Sequence, residues 1–157
     1  MRPEESLAVR KRLVERELGR VLAREDSPLF QAMRYAVLNG GKRFRPLLLF
    51  ASGACFGARR RILLPFACAL ELIHNYSLIH DDLPAMDDDD FRRGQPSCHR
   101  AFGEDIALLA GDGLLTLAFE MMAGAAVPGE LVGRKQEAIR SISRAAGVSG
   151  MIGGQFL

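Results

Sequence analysis

Apolar residues recur at helical spacing along almost the whole chain. Leu7, Val14, Leu18, Val21 and Leu22 fall three, four and seven positions apart among many charges, which predicts an amphipathic surface helix over 4–24. Ser27 followed by Pro28 reads as an N-cap with proline at the first helical position, and Gly40 with Gly41 as a C-terminal stop, so a second helix is expected over 28–39. Pro46 opens a third, over 46–56, closed by Gly57. A fourth is expected over 64–83, with Pro65 in its first turn and Pro84 at its end. The stretch 104–126 is apolar nearly all round and should be a central core helix. Pro128 opens a sixth helix ended by Gly147, and a seventh begins near Val148. No stretch alternates as a strand does, and no repeat or low-complexity linker occurs. The pattern predicts an all-α fold, a layered helical bundle with an inner helix.

Composition narrows this picture without changing it. The 157 residues are 48% hydrophobic and 25% charged, as in an ordinary folded domain. A chain this long buries roughly 70% of the surface its unfolded form exposes, so it needs no disulfides. Cys55, Cys68 and Cys98 form no CxxC pair and read as reduced thiols of a cytoplasmic protein. The formal charge, 21 − 19 = +2, argues against nucleic acid as a partner. The charged start lacks the apolar run of a signal peptide. The apolar windows 62–73 and 106–127 are interrupted by Glu71 and by Asp112 with Glu120, so neither is expected to span a membrane.

Candidate chemistry begins with six carboxylates in the ten residues 81–90: Asp81, Asp82, Asp87, Asp88, Asp89 and Asp90. An acidic run is ordinarily a solvated turn. Here it ends an apolar helix, where the macrodipole opposes negative charge. Two carboxylates 4 Å apart also repel by about 4 kcal/mol at an effective dielectric of 20. A cation should compensate, and magnesium suits an all-oxygen site with few protein ligands and bound phosphates. A calcium loop starting at Asp87 fails, because Phe91 and Arg92 occupy its fifth and sixth positions. His74, Ser77, Leu78 and Asp81 share one helical face, with His74 and Asp81 about 10 Å apart. Asp87 would point elsewhere on a continuous helix, but Pro84 lets the chain bend and return it toward Asp81.

A basic feature balances the acidic one. The run Gly40, Gly41, Lys42, Arg43, Phe44, Arg45, Pro46 fails as a Walker A loop, because Ala36 and Arg43 stand where glycine and Ser or Thr are required. What remains is a Gly-Gly turn presenting three cations beside a helix N-terminus, suited to an anion such as diphosphate. Arg92 and Arg93 follow the acidic run and could simply be its counter-charges.

The segments GGKRFRP, IHNYSLIHDDLPAMDDDDFRRGQPSCH, LLAGDGLLTLAF and MIGGQ together resemble the trans-isoprenyl diphosphate synthases, most closely the bacterial farnesyl diphosphate synthases, from about Arg34 to Gln155. The resemblance implies an all-α bundle around a deep central cavity and a magnesium-assisted condensation of an allylic diphosphate with isopentenyl diphosphate. It implies Asp81 and Asp87 as magnesium ligands, with Asp82 and Asp88 supporting them and Arg92 gripping the allylic diphosphate. Lys42, Arg45, His74 and Arg93 would hold isopentenyl diphosphate, while His80 and His99 are structural. Tyr76 and Ser77, about 6 to 7.5 Å below Asp81 along the helix, would set product length, the aromatic resembling the farnesyl-length pattern. Homodimerisation is implied as well. Gly113, Leu115 and Ser97 depart mildly from the pattern. The family is about twice this length and has a second aspartate-rich motif that is not here, so residues 1–157 read as the N-terminal half of one domain. A noncatalytic half-length subunit is the alternative. A terpene cyclase would leave GGKRFRP and Arg93 without a purpose.

Overall fold

The computed structural model describes residues 3–156. Eight α-helices occur among them: α1 (Pro3–Leu22), α2 (Pro28–Leu38), α3 (Phe44–Cys55), α4 (Arg60–Asp81), α5 (Cys98–Phe102), α6 (Glu104–Ala123), α7 (Val132–Ala146) and α8 (Met151–Phe156). A two-stranded hairpin, β1 (Phe91–Arg92) and β2 (Gln95–Pro96), lies between α4 and α5. The helical expectation therefore holds, with local corrections that have physical causes.

Helix α2 starts as its sequence dictates, since the Phe30 amide donates to the Ser27 hydroxyl at 3.4 Å and Pro28 takes the first turn. Gly40 and Gly41 then adopt φ of +77° and +109°, which a side chain would resist. Helix α3 begins two residues earlier than expected, because Arg43 turns left-handed (φ +53°) and admits Phe44 and Arg45 to the first turn. Pro46 costs that turn nothing, since the first amides have no intrahelical acceptor. Helix α4 begins at Arg60 rather than near residue 64, which places Pro65 inside the helix and forfeits one ladder bond. Leu7, expected on the apolar stripe of α1, stays exposed, whereas Val14, Leu18, Val21 and Leu22 are buried.

The hairpin contradicts the expectation of no strand. Arg93 and Gly94, both at positive φ (+54° and +77°), make the two-residue turn that suits a tight hairpin. Arginine in that role gives no sequence signal. Helix α5 was likewise too short to show a period.

The inner layer is the pair α4 and α6, flanked by α2, α3 and α5. Both are long and apolar enough to cross a membrane by length and composition, with mean hydropathies of 1.5 and 1.6. Here they turn apolar faces on one another. Leu72, Ile73, Tyr76 and Ile79 of α4 and Ala107, Ala110, Leu114 and Ala118 of α6 are all buried. Helix α6 is central as expected, although Leu108 and Leu109 remain 47% and 56% exposed. The contact closes at one point, where the His80 ring lies over Gly111 and its Nε2 is 3.1 Å from the Leu108 carbonyl oxygen. A Cβ on residue 111 would stand 2.1 Å from that Nε2.

Gly111→Ala should therefore lower unfolding stability by about 2 kcal/mol, measured in urea. Because the clash is with His80, the loss should shrink in Gly111→Ala/His80→Ala relative to the sum of the two single changes.

Candidate functional site

Helix α4 ends where the acidic run begins. The Asp82 amide still donates to Leu78 at 3.2 Å, after which the chain turns back through Pro84, so that the Asp87 amide donates to the Asp81 carbonyl at 2.9 Å and the Asp88 amide to Leu83 at 3.2 Å. The bend expected at Pro84 is present, and it returns Asp87 to Asp81.

Arginines sort the six carboxylates. Asp82 is buried and receives Arg92 Nε at 3.0 and 3.2 Å together with Nη2. The same Nη2 reaches Asp89 at 3.3 Å. Arg100 of α5 takes Asp90 at 2.5 Å and Asp88 at 3.8 Å. Of these six, Asp81 and Asp87 have no ion-pair partner among the described residues. Burial and the neighbouring charge of Asp87 hold the Asp81 carboxyl above the usual carboxylate range, with Arg92 opposing. These are the two residues expected to ligate magnesium, and their environment fits such an ion: hard oxygen donors, mutual repulsion and no competing cation. No cluster of three or more ligating side chains exists among the described residues.

Two turns back along α4 lies a cleft of about 710 Å³ lined by residues 39–45, Glu71, His74 and Arg93. It brings together all four residues expected to hold isopentenyl diphosphate. Lys42 and Arg45 are exposed and have no ion pair among the described residues. His74 is half-buried, and burial with the nearby Arg45 lowers its pKa, which favours the neutral imidazole. Arg93 donates to the Gly40 carbonyl at 3.1 Å and sits 3.5 Å from Asn75 Oδ1. Burial first, then Arg43, pushes its guanidinium below its ordinary value. Arg92 and Arg93 thus meet α4 at different heights, Arg92 at Asp82 and Arg93 two turns earlier at Asn75.

A third cleft, of about 570 Å³, opens beneath Asp81. Tyr76 and Ser77 line it from α4, as expected, and Met86 from the acidic turn. Tyr76 is 5% exposed and is held edge-on by His80, with ring centroids 5.6 Å apart. The Ser77 hydroxyl donates back to the His74 carbonyl at 2.9 Å. His99 is buried, with its Nδ1 3.1 Å from the Ser97 hydroxyl and its Nε2 without a hydrogen-bond partner among the described residues.

Several contributors had weak sequence signals. The apolar wall opposite Tyr76 comes from Met151, Ile152 and Phe156 of α8, and their distance from Tyr76 in the sequence hid it. Arg100, which takes Asp90 and Asp88, carried no motif signal of its own. Glu71 stood out only as an interruption of an apolar run, yet a buried carboxylate demands a cation. That cation is Arg43, whose Nη1 lies 2.8 Å from Glu71 Oε1.

The sequence model of the Polyprenyl synthetase family matches residues 26–157. The farnesyl diphosphate synthase of Geobacillus stearothermophilus is 46% identical over 97% of this chain and 52% of its own length. That of Escherichia coli is 50% identical over 85% of this chain and 44% of its own. A solved geranyltransferase from Legionella pneumophila superposes with a TM-score of 0.92 at 39% identity, covering 98% of this chain and 55% of that one. The chain spans about half the length of the curated relatives it matches. A match over most of the chain, carrying both the acidic run and the helices that place it, makes this protein a member of the polyprenyl synthetase family.

Proposed function

We propose that the chain is the N-terminal half of a single isoprenoid synthase domain. Its activity would be a prenyl transfer that condenses isopentenyl diphosphate with an allylic diphosphate, dimethylallyl or geranyl, to give farnesyl diphosphate. The observation that carries this reading is that one helix serves two chemically different anion sites: an unpaired carboxylate pair at its end and a basic cleft on its flank. The farnesyl diphosphate synthase relatives support the same reading. A soluble cytoplasmic protein and a homodimer belong to it as well.

In this reading Asp81 and Asp87 would hold magnesium, which when bound would supply positive charge against the diphosphate leaving group. Asp82 acts indirectly. It orients Arg92, whose Nη1 is left to face the allylic diphosphate once Nε and Nη2 are committed. Asp88 supports the turn and is itself held by Arg100. Lys42, Arg45 and Arg93 grip the second diphosphate, and neutral His74 can donate one N–H to it. Its double bond then attacks the allylic carbocation, a carbon–carbon bond forms and a proton is lost. Tyr76 and Ser77 floor the cleft that receives the growing chain.

The share of each relative that the chain covers, 52% and 44%, favours a second reading, a noncatalytic half-length subunit that binds magnesium and diphosphate and needs a partner chain. Incubation with isopentenyl and dimethylallyl diphosphates and magnesium, with extraction of the products, separates the two. Product from the chain alone or with a co-expressed partner, abolished by Asp81→Asn, is the expected outcome. No turnover in either case, with magnesium-dependent diphosphate binding retained, supports the subunit. In an active preparation Tyr76→Ala should shift the product to longer chains, read by chromatography; unchanged length would remove Tyr76 from its assigned place.

A further inference from the structure

Arg43 belongs by sequence to the same cationic run as Lys42 and Arg45, but the structure treats it differently. Its neighbours are exposed, whereas Arg43 is 2% exposed and its partner Glu71 also 2%. Arg43 and Glu71 also line the cleft, but the left-handed backbone at Arg43 lays its side chain into the protein against Glu71, while Lys42 and Arg45 stand exposed. Inside, one guanidinium joins three helices. Nη1 meets Glu71 of α4, Nη2 donates to the Val37 carbonyl of α2 at 2.8 Å, and Nε lies 3.5 Å from Glu15 of α1. The planar five-donor fork suits this use, which an ammonium could not reproduce. The cleft wall is built on that anchor. A Cβ on Gly41 would stand 3.2 Å both from Arg43 Nη1 and from Arg93 Cζ, so the Gly40 and Gly41 turn is clamped between two guanidinium groups.

We propose that Arg43 and Glu71 form a positioning pair for the basic cleft: neither touches the diphosphate, and together they fix the reach of Lys42 and Arg45 toward it. The inference rests on the reading of this cleft as a diphosphate site. Glu71 neutralises Arg43, so the pair adds no net charge to the cleft, and its effect on a ligand is one of geometry.

The test is titration of the chain with inorganic diphosphate in the presence of EDTA, which isolates the basic cleft from the carboxylate pair. Arg43→Met/Glu71→Met keeps the net charge and replaces the ion pair by apolar side chains of similar reach, a change that buried pairs often tolerate in stability. Circular dichroism melting checks that it folds. Its diphosphate affinity should fall about tenfold, the equivalent of one charge-assisted hydrogen bond, and Arg43→Lys should not restore wild-type binding. In a Lys42→Met/Arg45→Met background the same pair of changes should have no further effect, because Arg43 acts through those two residues. An equal fall in both backgrounds would make Arg43 a ligand in its own right, and no fall in either would leave the pair structural only; each overturns the proposal. If the wild-type chain binds no diphosphate without metal, the functional reading of the cleft fails. The positioning role is then decided by Lys42 itself, whose rate of acylation, read by mass spectrometry, should change in the folded double variant. An unchanged rate overturns it.

Discussion

The packing of α4 on α6 is the constraint from which the rest follows. Helix α4 carries Glu71, His74, Tyr76, Ser77 and Asp81, with Asp82 as its C-cap, and successive residues on a helix differ by about 100° in direction. A small rotation would therefore redirect every one of them. Rotation is prevented where His80 lies over Gly111, a place with no room even for a methyl group. The glycine spends no conformational freedom on a turn here; it is needed for the close approach. With α4 fixed in phase, the basic cleft falls on one side, the tail cleft below the acidic turn and the carboxylate pair at the tip.

Charge is then distributed by pairing rather than by composition. A net charge of +2 says nothing about local fields, yet the site holds six carboxylates beside several arginines. Buried or half-buried pairs absorb those that serve the framework: Asp82 with Arg92, and Glu71 with Arg43. The exposed pairs of Arg100 contribute little stability on their own, but they determine which carboxylates stand free of an arginine. The groups left without partners are Asp81 and Asp87 on one side and Lys42 and Arg45 on the other, and unpaired charges of opposite sign are what a metal and an anion respectively require. Three non-glycine residues of the described chain adopt positive φ, Arg43, Asp88 and Arg93, and all three lie at this site, where backbone strain tends to collect.

The helices were legible because apolar period, caps and glycine stops agreed with one another. The bend at Pro84 and the meeting of Lys42, Arg45, His74 and Arg93 in one cleft could be expected from spacing and resemblance. What could not be read depended on tertiary placement. The hairpin relies on an arginine in a left-handed turn, the exposure of Leu108 and Leu109 depends on what packs beside α6, and the α8 wall meets Tyr76 only through folding. Arg43 is the most instructive case, since residue type alone placed it with the cations of the cleft, and only its burial separates it from them.

The central claim is that one helix presents two independent diphosphate sites, one needing a divalent ion and one not. Calorimetric titration with inorganic diphosphate, with and without magnesium, measures this directly on the chain. The account predicts one binding event in EDTA and a second that appears with magnesium, with Asp81→Asn/Asp87→Asn removing the second and sparing the first. A single event that is indifferent to magnesium, or the loss of both events in that variant, would contradict it.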